Sequence, residues 1–171
     1  MEATTGSRLP GSIFVLLIVY GATQGRFYAT KLPAFVATHF AAGGRPNGWQ
    51  THAAFYYTEL FAVGLATFLG FGVPALIGVL PVSLVNVPNK EYWFAPERRE
   101  NTLAYFRMSF AWFGCALLAF LIFVNELVFR ANLSTTRQLN TTAFVSALFV
   151  FLGFTAAWTV GLIRGFARSP Q

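Results

Sequence analysis

The sequence predicts an all-α integral membrane protein, a four-helix bundle with a structured extracytoplasmic loop between its first two helices. Three observations predict this fold. Hydrophobic residues make up 56% of the 171 residues and charged residues only 11%, whereas soluble domains carry about 25% charged residues. The apolar residues are gathered in four runs of roughly the 20 residues that a helix needs to cross a hydrocarbon core. One long segment between the first two runs is neither apolar nor featureless.

The first two predicted spans differ in length. The first covers about 11–28, where Gly21 and Gly25 form a Gly-x-x-x-Gly pair that would let a neighbouring helix approach closely. The second covers about 53–82 and is longer than a perpendicular crossing requires. We therefore expect it to tilt or bend, and Pro74 favours a bend.

The segment that follows the second span is rich in aromatic residues. Pro88 and Pro96 bracket Tyr92, Trp93 and Phe94, which lie beside charged residues. Aromatic side chains next to charges are typical of the membrane interface, so these three residues are predicted to be an interfacial anchor. Pro96 also suits the first position of the next helix.

The third and fourth predicted spans cover about 103–129 and 143–163. Near the end of the third span, Glu126 and Arg130 are four residues apart with the acid first, which is the favourable order for a helical ion pair. Cys115 is the single cysteine and lies within a span. It can form no disulfide within the chain, and we expect it to act in packing. The four spans together define one transmembrane domain, 1–171.

The segment 31–52 is organised by proline and glycine. Pro33 should end the first helix because it lacks a backbone N–H. The Gly-Gly pair and the Pro-Asn-Gly group that follow favour turns. Trp49 precedes the next apolar run, at a position that suits an interfacial indole. The residues of this loop motif are Leu32, Pro33, His39, Phe40, Gly43, Pro46, Gly48 and Trp49.

This loop motif resembles the N-terminal domain of the Sdp-type immunity and signalling membrane proteins. The order is Leu-Pro, five residues, His-Phe, two residues, and then Gly, Pro, Gly and Trp. Ala41, Asn47 and His52 stand where that family commonly has Asn, Asp and Lys. The resemblance implies a polytopic membrane protein with this loop outside the cytoplasm and, in a few members, a role in resisting a peptide toxin. It does not imply an enzyme.

The distribution of basic residues predicts the orientation of the chain. With four spans both termini lie on one side, and that side carries seven basic residues against five on the other. Because basic residues favour the cytoplasmic side, we expect both termini in the cytoplasm and the chain in the inner (plasma) membrane. The seven are Arg8, Lys90, Arg98, Arg99, Arg107, Arg164 and Arg168, and the five are Arg26, Lys31, Arg45, Arg130 and Arg137.

Four ionisable side chains, Arg26, Glu59, Glu126 and Arg130, are predicted to form an outer polar cluster. Ionisable groups at membrane depth are costly and are usually paired or functional. In one interpretation, the two glutamates pair with Arg26 or Arg130 in a pocket roofed by the loop motif and Trp49. In the other, each charge reaches water and the loop packs on the helix ends.

Several other chemistries find little support in the sequence. His39 and His52 lack the spacing of a metal site, so neither a metal nor a cofactor is predicted. No catalytic motif is present, and we expect no enzyme. The net charge of +6 is scattered over the loops, which favours lipid headgroups over nucleic acid as partners. No inverted repeat suggests a transporter.

Two functional hypotheses remain. In the first, the protein is not an enzyme and binds a peptide or another membrane protein through the outer loop 31–52, in the manner of an immunity or signalling protein. In the second, it is an accessory subunit whose Phe-rich spans pack within a larger membrane complex, such as a photosynthetic or respiratory assembly. The chain has 20 Phe residues, and these suit contact with either lipid or a protein partner.

Overall fold

A computed structural model describes residues 8–167 and is mainly helical. Arg168, one of the seven basic residues counted above, lies outside the described residues. The elements in chain order are α1 (Leu9–Ala29), β1 (Phe35–Phe40), β2 (Pro46–Thr51), α2 (His52–Thr67), a π-helical turn (Phe68–Gly72), α3 (Val73–Val79), a 3₁₀ turn (Val82–Leu84), α4 (Lys90–Trp93), α5 (Arg99–Leu133) and α6 (Thr141–Ala167).

Within residues 8–167, three helices are long and apolar enough to cross a membrane: His52–Val79, Arg99–Leu133 and Thr141–Ala167. The first of these combines α2, the π-helical turn and α3. The four predicted spans coincide with α1 and with these three helices to within four residues at each end. α1 is not among the three, and its last third carries the polar residues Gln24 and Arg26. The described part of the chain is therefore mainly helical, and its three apolar helices of membrane length are those of a protein that can span a membrane.

A two-stranded antiparallel sheet interrupts the helices, so the fold is not purely α-helical as predicted. β1 and β2 form a hairpin, residues 35–51, in the segment predicted to be a structured loop. Gly43 and Gly44 adopt positive φ in its turn, which glycine does at little cost. Pro46, Asn47 and Gly48 were predicted to form a turn and instead lie in β2. The strand register is irregular between Ala37 and Phe40, opposite the segment that contains Pro46 and Gly48.

The helix His52–Val79 departs from α-helical geometry just before Pro74, the residue at which a bend was predicted. Pro74 has no N–H to donate to the preceding turn. The helix widens just before it, where the backbone N–H of Val73 donates to Phe68 O, five residues earlier. Such π-helical turns release backbone groups inside an otherwise α-helical segment. At its other end, α2 begins at His52, and the side chain of Thr51 caps it by accepting from Ala54 N at 3.2 Å.

α5 is the central helix of the bundle, and the other long helices pack against it. Pro96 was predicted to be the first residue of this helix. Residues 96–98 instead form a turn, and α5 begins at Arg99. Glu100 in its first turn and Arg130 in its last turn have the charges that the helix dipole favours. Phe14 of α1 and Ala66 of α2 are buried with Leu118 of α5 in one apolar cluster.

Two helices approach each other closely at Gly70 and Gly114. A Cβ atom added to Gly114 would lie 2.9 Å from the Cα atom of Gly70, and one added to Gly70 would lie 3.1 Å from the Cα atom of Gly114. No larger residue fits between these backbones without movement. The π-helical turn, which contains Gly70, is thus held directly against α5. Of the pair Gly21 and Gly25, the first faces Ile122 of α5 and the second faces Tyr56 of α2.

The predicted interfacial anchor is built into the protein more deeply than expected. Phe94 is buried in a cluster with Phe106 and Phe166. Trp93 Nε1 donates to Phe166 O at 2.9 Å, which joins the segment before α5 to the end of α6. Tyr92 is half-buried and lies under the guanidinium of Arg98, 4.1 Å from the ring centre. Two of the three predicted anchor residues therefore fix the end of α6 as well.

We expect Gly114→Ala to destabilise the protein by about 1–3 kcal/mol, because the added methyl group must push the π-helical turn away from α5. The matched control is Gly153→Ala in α6, where a Cβ atom meets nothing within 4 Å. That change should leave stability unchanged or raise it by up to about 1 kcal/mol. The measurement is the thermal unfolding midpoint of both variants in the same mild detergent. Equal midpoints for the two variants would contradict the close contact.

Candidate functional site

The hairpin is fastened to α5 by one buried side chain. Asn132 is only 6% exposed. Its Oδ1 accepts from Ala37 N at 2.8 Å, and its Nδ2 donates to Ala37 O at 2.9 Å. The amide thus pairs with β1 as a neighbouring strand would, satisfying both backbone groups of Ala37, which would be costly to bury unpaired. Nδ2 also donates to Val128 O at 2.9 Å within α5.

A second attachment joins the turn of the hairpin to the connection between α5 and α6. Leu139 N donates to Gly44 O at 2.9 Å. A Cβ atom at Gly44 would lie 2.3 Å from Leu139 O, and its φ is +80°. Both the contact and the backbone angle therefore require glycine at this position. Gly43 also has positive φ but meets nothing within 4 Å, so only its backbone angle matters.

Apolar packing beneath the hairpin completes the attachment. Val36 of β1 is fully buried against Phe55 of α2 and Phe129 of α5. Tyr28 of α1 stacks on Phe129 with ring centres 4.5 Å apart. Three helices therefore converge under β1. Leu32 and Phe40 of the loop motif are half-buried at the edge of this cluster.

The other residues of the loop motif shape the hairpin and its outer surface. His39 Nδ1 hydrogen-bonds Asn47 Oδ1 across the strands. Gly48 lies opposite His39, and a Cβ atom there would be 2.9 Å from His39 Cβ. Pro46 pairs with Phe40 at the end of the ladder nearest the turn. Pro33 lies in the connection between α1 and β1, four residues beyond the end of α1 at Ala29.

Glu126 is the hub of the predicted polar cluster. It forms an ion pair with Arg130 at 2.6 Å, in the arrangement that the four-residue spacing predicted. Gln24 Nε2 donates to it at 2.9 Å and Tyr28 OH donates at 3.0 Å. Within residues 8–167 this is the one ion pair. Both donors from α1 converge on this single carboxylate of α5, so it ties the two helices together.

Glu59 has a different partner from the one predicted. It accepts a hydrogen bond from Asn125 Nδ2 of α5, and no ion pair with Arg26 forms within the described part of the chain. An amide on the facing helix is within reach of Glu59, whereas the Arg26 side chain is exposed. The predicted cluster is thus divided in two. Glu126 forms an ion pair with Arg130, whereas Glu59 has the neutral amide of Asn125 as its partner. Trp49 is half-exposed on β2.

A cavity of about 290 Å³ lies between α1 and α2, with α5 at its base. Gly21 and Ile18 of α1, Val63 of α2 and Leu121 of α5 contribute apolar walls. Arg26, Gln24, Tyr56, Glu59 and Asn125 are its polar lining. The Tyr56 hydroxyl donates to Gly25 O at 3.0 Å and bridges the two helices beside the cavity. The polar residues lie in the parts of α1, α2 and α5 nearest the hairpin, while the apolar walls continue away from it.

His52 Nε2 is buried and has no hydrogen-bond partner within residues 8–167, whereas the Cys115 thiol has one. The His52 ring lies edge-on to Tyr56, with ring centres 5.1 Å apart. Cys115 Sγ donates to Pro10 O at 3.2 Å, as suits the predicted packing role. Across residues 8–167, no three His, Cys, Asp or Glu side chains are placed to hold a metal ion.

Sequence reasoning did not single out Asn132, Asn125 or Gly44 as site residues. The signal for Asn132 was an amide in the last turn of a long apolar helix, where a polar side chain needs a partner. Gly44 stood within a turn-forming group, but its contact with Leu139 depends on the fold. Comparison of the chain with protein-family models, curated proteins and solved structures finds no match.

We expect Asn132→Ala to loosen the hairpin, because Ala37 loses the partners of both its backbone groups at a cost of about 2 kcal/mol. The measurement is amide hydrogen exchange, which should become faster across β1 and β2. Asn101→Ala is the matched control, since Asn101 is an exposed amide on the same helix. Unchanged exchange in both variants would show that the Asn132 amide does not hold the hairpin in place.

Proposed function

We propose that this chain is an integral membrane protein that binds a peptide or another membrane protein through the outer surface of the hairpin. The observation that carries the proposal is a rigidly attached hairpin with large apolar side chains exposed. Phe35 is 62% exposed and Trp49 is 51% exposed, although buried contacts hold the strands on which they lie. In α2, which follows the hairpin, Tyr57 and Phe61 are also exposed. They are four residues apart and so share one face of the helix.

Rigid attachment favours binding because a preorganised surface loses little freedom when a partner arrives. Exposed aromatic side chains are enriched in the cores of protein interfaces, and tryptophan is prominent among the residues that dominate binding. A loop that served only as a connection would need neither the Asn132 amide nor the Gly44 contact. The motif residues that resemble the Sdp-type immunity and signalling proteins lie in or next to this hairpin, which supports a role of the same kind.

The proposed topology has four crossings, with α1 as the first and both termini in the cytoplasm of a cell bounded by an inner (plasma) membrane. The seven-to-five distribution of basic residues supports this orientation. α1 packs along α5, a helix of membrane length, and so lies at the same depth. The hairpin is then outside the cytoplasm, where a peptide can reach it, and the lipid bilayer contacts the apolar helices.

A second candidate function rests on α6. No residue in its most apolar stretch is buried, and Phe149 and Val150 are 70% and 75% exposed. α6 packs against α5 and leaves its remaining faces open. Such a helix suits an accessory subunit that packs within a larger membrane complex, for example a photosynthetic or respiratory one. Lipid satisfies the same surface, so the hairpin is the stronger basis for a function.

Cysteine labelling tests the topology in a Cys115→Ser background, in which serine can still donate to Pro10 O. Asn47→Cys should react with a membrane-impermeant maleimide added to intact cells, because the hairpin is outside. Arg8→Cys and Arg98→Cys should react only after the membrane is permeabilised. Labelling of Arg8→Cys from outside would show that α1 does not cross, and labelling of Asn47→Cys only from inside would reverse the orientation.

Site-specific photo-crosslinking tests the two functions in the native membrane. A photoreactive amino acid that replaces Trp49 should capture a peptide or membrane protein, whereas one that replaces Phe149 in α6 should give mainly lipid adducts. Thr136, an exposed position in the α5 to α6 connection, is the control site on the same side of the membrane. Protein adducts at Phe149 together with none at Trp49 would favour the accessory subunit and contradict a hairpin receptor.

A further inference from the structure

The cavity between α1 and α2 opens sideways, at the depth of the apolar helices. Both helices pack against α5, and they contact one another far less. The Tyr56 to Gly25 hydrogen bond closes the gap at the end nearest the hairpin. Ile18 and Leu60, on the two rims of the cavity, are exposed. A molecule dissolved in the bilayer therefore has a lateral route into the cavity.

Glu59 gives this cavity an unusual chemical character. A carboxylate offers about four lone-pair sites, and within residues 8–167 only Asn125 donates to Glu59. Glu126, the other acid at this level, has three donors, namely Arg130, Gln24 and Tyr28. Glu126 thus has three donors, whereas Glu59, beside an apolar cavity, has one.

We propose that this cavity binds a small amphipathic cation, a protonated primary amine on an apolar chain. The ammonium would donate to the free lone pairs of Glu59, and the chain would lie among Leu17, Val63, Leu121 and Ile122. A charge-assisted hydrogen bond in a site with little water is stronger than one between neutral groups. This inference does not depend on the proposal that the hairpin binds a partner, because no residue of the hairpin lines the cavity.

Competing ligand classes fit the lining less well. A fatty acid would bring a second carboxylate beside Glu59, and like charges repel strongly where water is scarce. An alcohol could donate one hydrogen bond but would leave the charge of Glu59 without a counter-ion. Arg26 also lines the cavity, but its long exposed side chain can turn toward lipid headgroups, where it would be far from the amine.

Native mass spectrometry of the purified protein tests the proposal with three probes of equal chain length: dodecylamine, dodecanol and dodecanoate at pH 7. Aliphatic amines, like lysine, are protonated at this pH. We expect one bound dodecylamine per chain, with an affinity about tenfold higher than that of dodecanol. Glu59→Gln should remove this preference, and Glu91→Gln, which changes an exposed acid outside the cavity, should retain it.

A second variant keeps the proposal testable if Glu59→Gln does not fold. Ala62→Phe fills the cavity while keeping the carboxylate, and it should abolish binding of the amine and the alcohol alike. Size-exclusion elution and helical circular dichroism would verify that each variant remains folded. Equal binding of the three probes, preference for dodecanoate, or an amine preference that survives Glu59→Gln would overturn the proposal.

Discussion

The position of the hairpin depends on the paired hydrogen bonds between the Asn132 amide and the backbone of Ala37. An isolated two-stranded hairpin is marginal in water, and this one has irregular register and a proline within a strand. The buried amide replaces the missing third strand by presenting one acceptor and one donor to the edge of β1. Because Asn132 belongs to α5, the hairpin takes its orientation from the helix against which the bundle is built.

The same helix organises the rest of the molecule. Gly114 lets the π-helical turn approach, and Glu126 receives the donors of α1. Each neighbour thus contacts α5 through a different kind of interaction. The π-helical turn meets it backbone to backbone, α1 donates hydrogen bonds to the Glu126 carboxylate, and the hairpin pairs with the buried Asn132 amide. α1 and α2 contact each other sparsely, and the cavity beside Glu59 is the space that this arrangement leaves. The cavity is therefore a product of packing around one long helix.

Much of the fold could be predicted from the sequence because membrane helices are encoded by local composition. The positions of α2, α5 and α6 follow from apolar runs, and the pairing of Glu126 with Arg130 follows from their four-residue spacing. Pro74 indicated a departure from α-helical geometry near its position. The hairpin was predicted as a loop because its strands are short and one of them begins with Pro-Asn-Gly, a turn signal. Tertiary contacts with Asn132 and Leu139 override that local preference, and no local pattern records them.

The sequence predicted which ionisable residues belong to the polar cluster better than it predicted which residue each of them contacts. Glu59 and Glu126 stood out as acids within apolar runs. Which of them meets an arginine and which meets an amide depends on how the helices are rotated, and composition does not specify rotation. Asn125 was adjacent to Glu126 in the sequence, yet it faces a different helix.

The contact between Gly44 and Leu139 has a mechanical consequence. Leu139 lies two residues before α6, whose far end is held by the hydrogen bond from Trp93 to Phe166. A displacement of the hairpin turn would therefore act on the residues just before α6. α6 is exposed along most of its length and is attached near both ends, so its position is coupled to the hairpin turn at one end and to the segment before α5 at the other.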